Sequence, residues 1–199
     1  MSRNCRITID VARSFDDFVK ALAIRAIVYM GEGNWSFEED WDGNDFAGTH
    51  MLACVDGEPA GSLRIRYFGQ FAKCERLAVL PKFRKRRFGG RGVAFELCDA
   101  GIEFCLRKGF TRFYGHSLEE RVPFWSKIGR GAMKPIPGAE IDFAGKKIIP
   151  MYGELPPVAG AITATSGHYV IVRREGEWDK PGYWERPNRD AQDEMGHAA

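Results

Sequence analysis

The stretch that most constrains this chain is a strand that runs into a basic, glycine-rich turn and straight on into a helix. Cys74–Val79 (CERLAV) reads as the strand, and Pro81 ends it. Residues 82–91 (KFRKRRFGGR) then carry six basic side chains and no acid. From Gly92 to Lys108 the pattern turns helical. Ala94, Leu97, Cys98, Gly101 and Cys105 share one face, Glu96, Asp99, Glu103 and Arg107 the other, and Gly109 is placed to end the helix. Such an arrangement points orphan backbone N–H groups and the positive dipole end at the turn, and glycine lets an anion approach closely, which suits a phosphate. A solvated basic loop or a nucleic-acid patch is the other reading of the same run. The turn is not a Walker A loop, because no Gly-Lys-Ser/Thr follows, and G-x-G-x-x-G is absent there.

The elements around this segment spell out an α/β chain. Arg6–Val11 reads as a first strand. Ser14 is placed as an N-cap, with Asp16 and Asp17 in the first turn, and residues 15–29 carry apolar side chains at helical spacing. The stretch 31–48 reads as a loop with one short helical piece. His50–Val55 and Ala60–Tyr67 flank Asp56-Gly57, so a hairpin is expected. Arg112–His116 is a short strand, Pro123 suits the first turn of a short helix over 122–128, and residues 130–155 hold short strand candidates between turns. The order β-α-β-β-β-α-β-α-β is an α/β arrangement, and the hairpin makes its sheet a mixed one, in a domain spanning 1–155. After Pro156-Pro157 the composition becomes small and polar, and 156–199 reads as a C-terminal arm. Within it Tyr169–Arg174 (YVIVRR) reads as a strand that needs a sheet edge to join. A homodimer formed by exchanging arms would supply one.

Composition excludes several classes. With 199 residues, 44% of them hydrophobic, and a net charge of only +2, the chain can bury a core and does not read as disordered. No apolar run is both long enough and unbroken enough to span a membrane, and the start (MSRNCRITID) lacks the apolar segment of a secretory signal. Five cysteines without a C-x-x-C suggest neither a disulfide framework nor a metal site, and a cytoplasmic protein with reduced thiols is expected.

Taken together, these residues resemble the GNAT superfamily of acyl-CoA N-acyltransferases. In that family the fourth strand leads into R/Q-x-x-G-x-G/A at a helix start, and the loop wraps the pyrophosphate of coenzyme A. Arg87-Phe88-Gly89-Gly90-Arg91-Gly92 matches literally. A second register, Arg84-Lys85-Arg86-Arg87-Phe88-Gly89, fits the distance from Pro81 but puts Arg where the first glycine belongs. Val55-Asp56-Gly57 with Ala60-Gly61-Ser62-Leu63-Arg64 looks like the family's second and third strands, Glu75 to Pro81 like the fourth, and Phe124-Trp125-Ser126-Lys127-Ile128-Gly129 like its F-Y-x-K-L-G helix.

The resemblance implies a mixed, mostly antiparallel central sheet flanked by helices, and an enzyme that moves an acyl group from acetyl-CoA or another acyl-CoA to an amine, without a metal. It implies that Leu77, Ala78 and Val79 carry the pantetheine arm and polarise the thioester carbonyl, and that Arg84, Arg86, Arg87, Phe88, Gly89, Gly90, Arg91 and Gly92, with Trp125, form the rest of the cosubstrate site. Glu75, two residues from Leu77, is the candidate base; the alternative is an ordinary strand glutamate paired with Arg64 or Arg66. The family's acid tyrosine is replaced by Trp125, which has no usable proton, so Tyr114 and His116 are the substitutes by position. The acceptor is expected at the acidic block 32–45 (EGNWSFEEDWDGND), where Trp35, Glu38 and Trp41 would suit a small cationic amine. The other reading of that block is a solvated loop. An acyl-homoserine-lactone-synthase-like enzyme and a non-catalytic CoA-sensing or nucleic-acid-binding module are the rivals, although nucleic acid and membrane are not the partners expected.

Overall fold

In the computed structural model the described residues are 6–143 and 145–185. They group into two compact units divided between Ala161 and Ile162. The first unit is a twisted sheet with helices against it. Its elements are β1 (Ile7–Val11), α1 (Phe15–Arg25), a π-helical continuation Ala26–Glu32, α2 (Phe37–Asp40), β2 (Gly48–Val55), β3 (Glu58–Phe68), β4 (Phe71–Val79), β5 (Arg87–Phe88), β6 (Arg91–Gly92), α3 (Val93–Arg107), β7 (Arg112–Leu118), α4 (Val122–Trp125), β8 (Lys134–Pro135), β9 (Ile141–Phe143) and β10 (Lys146–Glu154).

The main sheet has eight strands in the order β1-β2-β3-β4-β7-β10-β8, with β9 paired to β10. Every pairing is antiparallel except β4 with β7. That parallel pairing is brief, linking only Ala72 to Phe113 and Lys73 to Tyr114. Beyond those residues the two strands part. The β3–β4 register also slips, because Ser62 faces Ala78 while Arg64 faces Glu75, so Arg76 and Leu77 together oppose Leu63. This is a β-bulge, and Arg76 sits in it at φ 53, a left-handed conformation uncommon for a residue with a side chain. A bulge and a parting of strands at the same place open a gap in the middle of the sheet.

The core lies between the sheet and its helices. Leu63, Ile65, Val93, Leu97, Cys98, Ile102 and Cys105 are buried there. Gly101 lets α3 ride close on β3, since a Cβ would lie 2.7 Å from the Leu63 side chain. Ser14 caps α1 as expected, its hydroxyl accepting from the Asp17 N–H at 3.1 Å. The helix expected over 15–29 becomes π-helical from Ala26, a wider coil that brings both Val28 and Tyr29 to one cavity. No helix among the described residues is long and apolar enough to cross a membrane, and the cysteines among them are thiols. Cys5 lies outside the described residues.

The second unit corrects one expectation. Tyr169–Arg174 is not a strand: His168–Val172 forms α5, a single helical turn. β-propensity yields to local context, and this context closes on itself. Gly167 starts the turn. Arg173 then binds both carboxylate oxygens of Glu185, at 2.8 and 2.5 Å, and donates to the Trp178 carbonyl. With no ladder left open, the argument for a borrowed sheet edge falls. Residues 186–199 lie outside the described part.

Candidate active site

A cavity of about 440 Å³ fills the gap between β4 and β7. Its walls come from β4 (Lys73, Glu75, Arg76, Leu77, Val79), the π-helical segment (Val28, Tyr29), Trp35, β7 (His116, Leu118), Arg121, α4 (Phe124, Trp125) and β10 (Ile148). A second cavity of about 520 Å³ shares Val79, Arg84, Ala94 and Phe124 with the first. It is bounded by Arg87, Gly90, Arg91, Gly92, the first turn of α3, Pro123 and Lys127. One continuous surface therefore leads from the helix start into the split sheet.

The helix start explains the second cavity. Residues 87–92 form a tight hairpin, with Arg87 opposite Gly92 and Phe88 opposite Arg91. Its two turn residues, Gly89 and Gly90, have φ of 55° and 85°, which glycine adopts at little cost. Gly92 is then the N-cap of α3 and supplies no side-chain hydrogen bond, so the orphan N–H groups of the first turn face the cavity. Two arginines of the lining brace the turn. Arg84 clamps both oxygens of Glu32 at 2.7 and 2.8 Å and donates to the Val79 carbonyl at 2.9 Å, while Arg87 donates to the carbonyls of Arg84 and Arg86.

In the first cavity the bulge breaks strand alternation. Glu75, Arg76, Leu77 and Val79 all reach the lining, whereas Ala78 packs on the core side with Ile24 and Leu52. The Tyr29 hydroxyl donates to the Leu77 carbonyl at 2.9 Å, and burial pushes its pKa up to about 12. Glu75 is gripped from three sides: Arg64 at 2.7 Å, Arg66 at 2.6 Å and Lys73 at 2.8 Å. Burial by itself would raise its carboxyl, but those hydrogen bonds and charges prevail and hold it below its ordinary value. His116 moves the other way from a charged state. Burial first, then the charges of Lys73 and Arg76, lower its pKa, so the imidazole is neutral at pH 7.

The family model for the Acetyltransferase (GNAT) family matches residues 18–129, which hold the bulged strand, the uncapped helix start and α4. The chain belongs to this family. A curated relative, the uncharacterized protein YyaT of Bacillus subtilis, is 29% identical over 117 residues, covering 57% of this chain and 75% of YyaT. Among solved structures, ElaA of Escherichia coli superposes with a TM-score of 0.63 at 19% identity, over 75% of this chain and 100% of ElaA. A Bacillus subtilis acetyltransferase solved in complex with CoA gives 0.55 at 13% identity, over 76% of this chain and 100% of the other. These likenesses place the fold in the GNAT class.

Most of the residues expected from sequence converge on these two cavities. Glu75, Leu77, Val79, Arg84, Trp35, His116 and Trp125 line the first; Val79, Arg84, Arg87, Gly90, Arg91 and Gly92 line the second. Others stand apart. Arg86, Phe88 and Gly89 belong to the hairpin without lining either cavity, and Tyr114 sits one strand position away from the first, its hydroxyl 3.4 Å from His116 Nε2. Glu38 and Trp41 are exposed and line neither cavity; the Trp41 ring lies tilted against Phe37, with centroids 4.6 Å apart.

The acidic block departs furthest from expectation, because its three aspartates turn inward onto buried arginines while Glu32 and Glu38 stay exposed. Arg25, fully buried, takes Asp40 at 3.1 Å and also Asp45. Arg64, equally buried, holds Asp42 through two bonds of 2.8 and 2.6 Å and Asp45 at 2.9 Å. Arg76 reaches from the bulge to Asp42 at 3.0 Å and to the Glu39 carbonyl at 2.8 Å. Three arginines far apart in sequence thus pin the block to the sheet. Tyr29, Arg76, Lys73 and Arg121 are cavity residues that sequence reasoning missed. Arg76 is invisible because its role depends on the bulge, and no local pattern marks a bulge.

Proposed function

We propose that this chain transfers an acetyl group, or another acyl group, from coenzyme A to an amine in the cytoplasm. The observation that carries this reading is the coincidence of three features on one surface: the uncapped helix start, the bulged strand and the gap where β4 and β7 part. Together they fit a long anionic thioester. Orphan N–H groups at Gly92 to Phe95, with Arg87 and Arg91 beside them, suit the pyrophosphate. Leu77 and Val79 border the path between the two cavities, with Phe124 and Trp125 as an apolar wall for the pantetheine. When bound, the thioester supplies the activated acyl carbonyl. The chain's part is to hold that carbonyl against strand N–H groups at the bulge, where preorganised donors act most strongly on developing charge.

The amine must lose a proton. Two groups in the cavity can receive it, Glu75 and His116. Three cations favour the ionised form of Glu75, which makes it a weak base; as an anion it keeps Lys73, Arg64 and Arg66 in place. The neutral imidazole of His116 is the stronger base near pH 7. Trp125 offers no proton to the leaving thiolate. Tyr114, beside His116, is the nearest hydroxyl on that strand face, and it can reprotonate the thiolate through the imidazole or through water.

The test combines binding with turnover. Calorimetry with acetyl-CoA on the intact chain is expected to show a single site, and thiol release in the presence of amines to show transfer. A chain that binds neither acetyl-CoA nor free CoA would remove this reading and leave a sheet with an unexplained gap.

A further inference from the structure

We propose that the acceptor is an amine that also bears an anionic group, a carboxylate or a phosphate, and that Arg121 at the rim of the first cavity takes that group. This rests on the acyltransferase reading and adds the substrate class. The charged residues lining the cavity are Lys73, Glu75, Arg76, Arg84 and Arg121, four cations and one carboxylate. Three of the cations are already matched: Lys73 by Glu75, Arg76 by Asp42 and Arg84 by Glu32. Arg121 is exposed and has no hydrogen-bond or ion-pair partner among the described residues. It stands next to α4, beside Leu118 and Ile148 on the lining, and it does not border the second cavity, where the cosubstrate phosphates are expected.

A purely cationic amine finds little to hold it here. The acids of the 32–45 block are spent elsewhere. Asp40, Asp42 and Asp45 lie on buried arginines, Glu32 on Arg84, and Glu39 on the Ser36 N–H of its own capping box, while Glu38 lies outside the cavity. Trp35 already carries two cations against its ring, Arg76 at 5.7 Å and Lys146 at 5.6 Å from its centroid, which disfavours a third. An anionic tail reverses the balance. A guanidinium fork matches a carboxylate or a phosphate through two parallel hydrogen bonds.

The experiment measures thiol release from acetyl-CoA with matched acceptors: each proteinogenic amino acid against its decarboxylated amine, and phosphoethanolamine against ethanolamine. At least one anionic member should exceed its partner about tenfold to a hundredfold in kcat/KM, the factor expected of one charge-assisted pair. Arg121→Ala should raise KM for that acceptor by a similar factor, Arg121→Lys should recover part of it, and the acetyl-CoA Kd should stay at the parent value. Amines lacking the anionic group that react as well as or better than their partners would overturn the proposal. So would an Arg121→Ala variant that loses acetyl-CoA affinity, because Arg121 would then serve the cosubstrate. Acetyl-CoA binding without turnover of any anionic amine defeats this proposal alone; absence of acetyl-CoA binding defeats the acyltransferase reading beneath it.

Discussion

Two charge runs of equal size meet opposite fates in this fold. The six acids of 32–45 and the six bases of 82–91 look alike as sequence, each an unrelieved block of one sign. The acidic run is consumed by the structure, its aspartates drawn onto Arg25, Arg64 and Arg76. The basic run is met only at the surface: Lys82 pairs with Glu58, Arg84 with Glu32 and Arg91 with Glu96 and Asp99, Arg87 donates only to carbonyls, and the side chains of Lys85 and Arg86 have no partner among the described residues. What separates them is the location of the counter-charges. Arginines buried on α1 and β3 must be neutralised from within, because an unpaired charge in the interior is costly. Bases on an exposed hairpin meet no such demand, and their solvent-exposed ion pairs are weak enough for a competing anion to replace.

The largest effect expected is on the acidic side. Arg64→Ala leaves Asp42, Asp45 and Glu75 without their shared partner and should cost about 3–5 kcal/mol, read from urea denaturation. Arg86→Ala in the basic run should stay within about 0.5 kcal/mol of the parent. Equal losses would break the contrast.

Next comes Gly90→Asp. It should abolish measurable acetyl-CoA binding by calorimetry while shifting the melting temperature little, since no atom lies within 4 Å of the added Cβ and the main cost is its φ of 85°. Acetyl-CoA affinity of the parent should also fall with added salt, because exposed charges are screened while the buried arginine pairs are not.

Two pH effects sharpen the comparison further. Asp42, Asp45 and Glu75 all have lowered carboxyl pKa values: burial pushes each up, and arginine or lysine partners more than reverse it. The native state therefore binds fewer protons than the unfolded one. The stability from these groups is present above the ordinary carboxylate range and is lost as the pH falls through the lowered values. Urea midpoints that do not fall below about pH 5 would contradict this. For activity, a base with the lowered pKa of His116 gives kcat/KM an acid limb centred below 6.5, and His116→Gln should remove that limb. The smallest effect expected is Glu38→Gln, with kcat/KM and stability unchanged, since this side chain neither lines the cavity nor pairs inward.

How much of this was legible beforehand differs by element. The hairpin around Asp56-Gly57, the capped start of α1 and the span of α3 follow from local chemistry, so the sequence reading located them. The glycine turn before α3 was legible in the same way, since Gly89 and Gly90 precede a patterned helix. The arginine cage was not legible, because Arg25, Arg64 and Arg76 converge only after three separate elements pack. Glu75 lies between these cases. Its pairing with Arg64 or Arg66 was foreseeable from neighbouring strands, but its simultaneous grip by Lys73 was not. The misread strand at Tyr169–Arg174 shows the limit of alternation in a short segment, where one salt bridge and a turn outweigh propensity.

The brief contact of β4 with β7 has a mechanical consequence. The sheet is two leaves, β1 to β4 and β7 to β10, stitched along their common edge by two residue pairs. A load applied across that seam meets few hydrogen bonds in its path, so this is where the sheet would part first under tension. A molecule lying in the gap, bonded to strand backbone on one side and packed on α4 at the other, would act as a removable rivet: the force needed to open the leaves should rise when it is in place and drop when it leaves.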